Sequence, residues 1–295
     1  MIGDFCEVDR EFSMPRLLTV RRVLIALTTT AALLAAGCGG GGETAAPVQA
    51  AQPAGRMVSL TVPSQKVGFT YNIDVYLPAS YDASSAAYPT IYALDGDSRF
   101  DGINTRFDNF RETLRSKGTD AILVGIGGTA RRLTDYNFPG ATAFHDFLTT
   151  ELIPLVDARF RTVQGKRMLA GISTSGNLAA TALFLEATST FSFSHFLSTE
   201  GAFWQQPDAI NTLEQQMFDA TRGRTIPVTL VLVRATAGTG TNATYVHDLF
   251  LRLDARRYAG LTLIETSFAT GHVESDNPAF ADVVGRIFPW GLLCK

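Results

Sequence analysis

From Met57 onward, short β-branched and apolar runs alternate with amphipathic stretches, which confines the chain to an α/β domain on a mostly parallel sheet. The pattern predicts strands at 58–62, 72–77, 90–94, 121–126, 167–172, 193–197, 228–234 and 261–267. Helices are expected at 106–117, 141–157, 173–186, 208–221, 242–257 and 278–287. Later strands such as VTLVLVR at 228–234 are nearly continuous apolar runs, as strands covered on both faces should be. One domain over residues 57–295 follows, with a sheet of about eight strands and helices on both faces. No internal period marks a repeat protein.

The residues before this domain read as an address. Arg16, Arg21 and Arg22 precede the apolar run 23–36, which is too short for a membrane span and suits the core of a signal peptide. Gly37-Cys38 closes the run in a sequence, LLAAGC, that resembles a bacterial lipobox. That resemblance makes residues 1–37 a lipoprotein signal peptide and Cys38 the acylated first residue of the mature chain. Asp4, Glu7, Asp9 and Glu11 are foreign to such a leader, so Met14 is an alternative start. Residues 38–56, rich in Gly, Ala and Pro, form a flexible tether. The expected location is outside the cytoplasm, with the lipid anchored in a membrane on its periplasmic or cell-surface side. With Cys38 acylated, Cys294 is the one thiol left in the mature chain, so no internal disulfide and no redox pair is expected. No spacing of Cys and His suggests a metal site. The net charge of −3 leaves no basic surface for nucleic acid.

The strand at 167–172 runs into AGISTSGNLAA at 170–180. In a parallel sheet, reactive groups collect at the carboxyl ends of strands. A sharp strand-to-helix turn that exposes a serine forces the residues two before and two after it close together, so both must be small. Around Ser173 these are Gly171 and Ser175. Around Ser175 no strand leads in directly, and around Ser98 the residue two after is Phe100. Ser173 is therefore the candidate nucleophile. The helix that follows aims free N–H groups at the same place, with the Thr174 amide as a donor to an oxyanion. A helix N-cap is the structural role that Ser173 would otherwise fill.

Four histidines compete as its base. His145 and His247 fall on helices and His195 within a strand. His272, in FATGHVES after the last strand, follows the serine in the chain order that such triads require.

These residues resemble the Putative esterase branch of the α/β-hydrolase superfamily, which includes siderophore-ester hydrolases, feruloyl and S-formylglutathione esterases and mycolyltransferases. The resemblance runs over about 61–288 and is carried by NIDVYLPASYD, YPTIYALDGDSRFDG, FLTTELIPLVDARFRT, MLAGISTSG, STEGAFW and GHVES. It implies the α/β-hydrolase fold and ester chemistry. The serine in the fifth place of GISTSG is similar to the mycolyltransferase branch. From that branch it also implies that the Asp97 N–H is the second oxyanion donor. Asp95 would brace that loop through side-chain hydrogen bonds.

One feature departs from the family pattern. Relatives usually carry the triad acid just after the seventh strand, where VLVRATAGTGTNATY has no carboxylate. Two substitutes stay open: Glu200, just past the sixth strand, and Asp248, on the helix after the seventh. Glu200 is preferred, because a carboxylate beside Phe203 and Trp204 needs a partner that an imidazolium supplies. Asp248 is turned from the apolar stripe of its helix. The function implied is a serine esterase acting on a small-molecule carboxylic ester or thioester through an acyl-enzyme on Ser173, without metal or cofactor. An acyltransferase using the same acyl-enzyme, or an inactive binding lipoprotein of the same fold, is the alternative. Arg131 or Arg132, at the expected pocket rim, could meet an anionic substrate, a plain surface role being the simpler reading of both.

Overall fold

The computed structural model describes residues 55–100 and 102–287. The leader, residues 38–54 of the expected tether, Cys38 among them, and Cys294 lie outside the described residues, and Arg56, expected as the tether's last residue, is the first of the sheet. Eight strands, β1 (Arg56–Ser64), β2 (Phe69–Leu77), β3 (Tyr88–Ala93), β4 (Ile122–Ile126), β5 (Thr162–Ile172), β6 (His195–Thr199), β7 (Thr229–Ala235) and β8 (Thr262–Phe268), form one sheet. Its order is β1-β2-β4-β3-β5-β6-β7-β8. β2 is antiparallel to both neighbours and every other pairing from β4 to β8 is parallel.

Helices cover both faces. On one, α1 (Arg106–Ser116) and α8 (Asp276–Asp282) bury Phe107, Phe110, Leu114 and Phe280 against Ile91, Ala93, Leu123 and Ala170. Phe110 and Phe280 stack with centroids 3.7 Å apart. On the other lie α2 (Arg132–Asp135), α3 (Gly140–Phe147), α4 (Ile153–Arg159), α5 (Thr174–Glu186), α6 (Pro207–Ala220) and α7 (Ala243–Arg256). Here α5 is buried almost all round, as the central helix of such a layer must be. Among the described residues no helix is long and apolar enough to cross a membrane.

Several boundaries differ from the pattern-based expectation. β5 begins at Thr162, because a polar, exposed stretch continues the strand edge with little apolar signal. β6 sits two residues later than its apolar run, since Ser198 joins the ladder while its hydroxyl donates to the Gly176 carbonyl at 2.7 Å. The helix expected at 141–157 is α3 and α4 joined through a turn of π geometry at Leu148–Leu152. Ser173 is not helical; it stands outside α5 as the turn residue.

Arg106 locks the carboxyl edge of the sheet. Its Nε and Nη2 donate to Asp276 at 2.7 and 3.0 Å, and its Nη1 donates to the carbonyls of Leu94 and Ala170 at 2.6 and 3.1 Å. One buried guanidinium thus joins the ends of β3 and β5 to the start of α8. Removing one partner of a buried pair strands the other charge. Asp276→Leu is therefore expected to lower unfolding stability by about 3 kcal/mol, read from urea denaturation; a loss under about 1 kcal/mol would show that this pair does not hold the edge.

Candidate active site

β5 delivers Ser173 to the carboxyl edge through the buried run Met168–Ile172. Ser173 has φ 59° and ψ −119°, a strained conformation for a residue with a side chain. Three backbone bonds fix it: its N–H donates to the Thr199 carbonyl, and its own carbonyl accepts from Asn177 and Ala202, each at 2.9 Å. The turn is tight enough that a Cβ on Gly171 would fall 2.1 Å from the Ser175 carbonyl oxygen. The Ser175 hydroxyl is spent on the turn itself, accepting from the Ile172 N–H and donating to the Ile172 carbonyl, both at 2.9 Å. The Ser173 hydroxyl, half-buried, has no hydrogen-bond partner among the described residues.

On the neighbouring strand, Glu200 occupies the equivalent place. Ile172 pairs with Thr199, so Ser173 and Glu200 are each one residue past the last rung, about one strand spacing (~5 Å) apart. Glu200 also has positive φ, 49°, and its side chain is fully buried. Its Oε1 accepts from the Ala235 N–H at 2.7 Å, and its Oε2 accepts from the Asn242 N–H at 2.6 Å. His272 Nδ1 lies 3.0 Å from the same Oε2. A carboxylate acceptor places the His272 proton on Nδ1 and leaves Nε2 as a proton acceptor. The Ser275 hydroxyl donates to the His272 carbonyl at 2.8 Å and pins the loop. No hydrogen bond joins His272 Nε2 to Ser173 here; in resting sites such bonds are often long and tighten with substrate.

Thr174 opens α5, so its N–H has no acceptor within the helix. The Asp97 N–H makes no backbone hydrogen bond among the described residues. The Asp97 carboxylate accepts from the N–H groups of Gly128 and Thr129 at 3.0 and 3.1 Å and from the Thr129 hydroxyl, tying the loop after β3 to that after β4. Asp95, with φ 53°, is fully buried, and burial pushes its carboxyl up from the usual range. It accepts from Arg132 Nη2 at 2.9 Å, and the same nitrogen donates to the Ile172 carbonyl at 3.0 Å. Asp95 thereby braces the turn from below.

Residues 64–232, more than half of the chain, match the family described as Putative esterase. The chain belongs to that family. No curated protein matches it. Among solved structures it is similar to the BES protein from Bacillus cereus, at 20% identity and TM-score 0.65, covering 77% of this chain and 93% of that one. An IroE-like serine hydrolase from Shewanella oneidensis matches at 23% and 0.63, covering 79% and 80%. Siderophore hydrolase EstA from Aspergillus nidulans matches at 20% and 0.63, covering 83% and 98%. These likenesses show the α/β-hydrolase fold.

In this esterase-family chain the alternative acid, Asp248, is exposed on α7 and faces a separate cavity of about 230 Å³ with Pro207, Ile210, Asn211 and Arg252. Among the described residues, no hydrogen bond or ion pair joins it to His272. Arg131 and Arg132 already carry carboxylate partners: Arg131 forks onto Asp135 at 2.8 and 3.0 Å, and Arg132 donates to Asp95 at 2.9 Å. The remaining histidines have structural partners: His145 with Glu186, His195 with Ser194, and His247 with Glu265. Among the described residues no cluster of His, Cys, Asp or Glu could hold a metal ion. Sequence reasoning missed Asn242 and the Arg106–Asp276 pair. A smaller cavity of about 100 Å³ beside the His272 loop is lined by Phe100, Arg106, Asn109 and Val273.

The close approach at Gly171 generates a direct test. Gly171→Ala must push the Ser175 backbone away and is expected to destabilise the fold by about 3 kcal/mol, measured by thermal or urea unfolding. A variant of unchanged stability would mean that the turn is looser than the 2.1 Å approach requires.

Proposed function

We propose that the protein is a serine esterase that cleaves a carboxylic ester or thioester through an acyl-enzyme on Ser173. The observation that carries this reading is the buried Glu200 carboxylate, held by two backbone N–H groups and lying 3.0 Å from His272 Nδ1, at the strand ends where Ser173 sits in its strained turn.

In this mechanism His272 Nε2 takes the Ser173 proton as Oγ attacks the ester carbonyl. Negative charge forms on the carbonyl oxygen and is met by the N–H groups of Thr174 and Asp97, which are fixed before reaction. Glu200 holds the Nδ1–H tautomer and stabilises the imidazolium. The imidazolium then protonates the leaving alcohol or thiol. Water, deprotonated by the same Nε2, attacks the acyl group and releases the acid, restoring Ser173. Solved relatives in fold support the chemistry: they include a siderophore hydrolase, an enterobactin hydrolase in complex with DFP and a ferulic acid esterase.

Ser173→Ala is expected to abolish both p-nitrophenyl acyl ester hydrolysis and fluorophosphonate labelling, whereas Ser175→Ala keeps its label. Labelling that survives Ser173→Ala would refute the assignment. Glu200→Gln should lower kcat by ~100-fold or more, while Asp248→Asn stays within about twofold.

For location, the reading is an exported lipoprotein anchored through Cys38, supported by the basic start, the apolar run at 23–36 and the Gly37-Cys38 pair. Metabolic labelling with an alkyne fatty acid should mark the wild-type chain and not Cys38→Ser. Equal labelling of both would remove the anchor.

A further inference from the structure

The loop that joins β7 to α7 contains no carboxylate, yet it converges on Glu200 through one residue. Asn242, 7% exposed, makes three hydrogen bonds toward Glu200 and Trp204. Its backbone N–H donates to Glu200 Oε2 at 2.6 Å, and its side-chain Nδ2 donates to the Glu200 carbonyl at 2.7 Å. Its Oδ1 accepts from the Trp204 indole Nε1 at 3.0 Å.

The orientation of this amide has one solution. The indole N–H can only donate and the Glu200 carbonyl can only accept, so the oxygen must face Trp204 and the nitrogen must face Glu200. Asp would lack the donor, and an apolar residue would lack both groups. Asn242 therefore grips Glu200 at the carboxylate and at the main chain, where φ of 49° needs external support. Trp204 stands 51% exposed in the turn Phe203–Gln205, which begins three residues past Glu200, and Gln205 of the same turn donates to the Thr174 hydroxyl at 3.2 Å beside Ser173.

We propose that Asn242 is the positioning residue that fixes Glu200 against His272, with the Trp204 indole orienting its amide from the rim. The inference rests on the esterase reading above and extends it to a residue that touches neither the ester nor the base. A 1 Å displacement of a catalytic group is enough to cost orders of magnitude in rate. Loss of the Asn242 side chain removes the bond to the Glu200 carbonyl and leaves the Glu200 N–H bonded to the Val233 carbonyl at 2.8 Å, so the backbone of the acid is held on one side only while the acid itself remains.

The test compares Asn242→Ala, Asn242→Asp, Trp204→Phe and Glu200→Gln in the full chain, with p-nitrophenyl ester kinetics, fluorophosphonate labelling rates and thermal unfolding. Asn242→Ala and Asn242→Asp are expected to lower kcat and the labelling rate by ~10- to 100-fold, with KM within about twofold. Trp204→Phe, which keeps the ring and loses the N–H, should lower kcat about 2- to 10-fold, and this effect should vanish in the Asn242→Ala background. Should one Asn242 variant fail to fold, the other and Trp204→Phe still decide the matter. Folded Asn242 variants that label at the wild-type rate while Glu200→Gln is slow would overturn the positioning role alone. If Glu200→Gln is also unimpaired, the acid assignment fails and takes this inference with it.

Discussion

The Glu200 side chain is fully buried, and an unpaired carboxylate in such a place would cost several kcal/mol in lost hydration. What makes the burial tolerable is that its donors come from three separate parts of the chain: the end of β7 at Ala235, the start of α7 at Asn242 and the loop after β8 at His272. None of these contacts can move alone without leaving the charge short of a partner. The geometry around His272 is therefore enforced by the same free energy that holds the last third of the sheet together. In the proposed mechanism, this network preorganises the base.

Strain is the second constraint on the site. Asp95, Ser173 and Glu200 all have positive φ, and they follow β3, β5 and β6, three strands that lie side by side. Each such residue costs of order 1–3 kcal/mol, so three together need a rigid support. The central strands supply it, buried on both faces and hydrogen-bonded along both edges. Arg106 adds a brace where the ladders end, using the Leu94 and Ala170 carbonyls just before two of the three turns. Arg132 does the same from the other side, bridging Asp95 to Ile172. Arg132, placed at the pocket rim by its sequence position, and Arg106, which the sequence shows only as the start of a helix, are in this way structural parts of the turns.

What could be read from the sequence follows from the range of the physics involved. The elbow was legible because its constraint is local: Gly171, Ser173 and Ser175 lie within five residues, and the size rule concerns those positions alone. The sheet was legible wherever strands are apolar on both faces. It was blurred at Thr162–Lys166, where a largely exposed stretch weakens the hydrophobic signal, and at Ser198 and Thr199, polar residues that the core buries, the first with its hydroxyl bonded to the Gly176 carbonyl. The choice between Glu200 and Asp248 stayed open because it turns on a backbone angle and on donors 35 and 42 residues away. Asn242 gave no sign at all, since a lone Asn before a helix reads as an ordinary cap. Its side chain in fact makes no capping bond; it faces Glu200 and Trp204 instead.

The missing carboxylate after β7 invites the view that such a chain has lost its chemistry. The proposed mechanism gives a different account. An imidazole needs a single acceptor about 3 Å from Nδ1, and it is indifferent to which strand brings it. The ends of β6 and β7 are adjacent, with Thr199 paired to Val233, so an acid leaving either strand can reach the same ring. Once the charge sits on β6, a second carboxylate on the β7 loop would be a like charge in a buried site and would raise the cost of both. N–H donors there lower it. A loop without acids that instead offers Ala235 and Asn242 amides to Glu200 is thus the physical complement of the moved carboxylate.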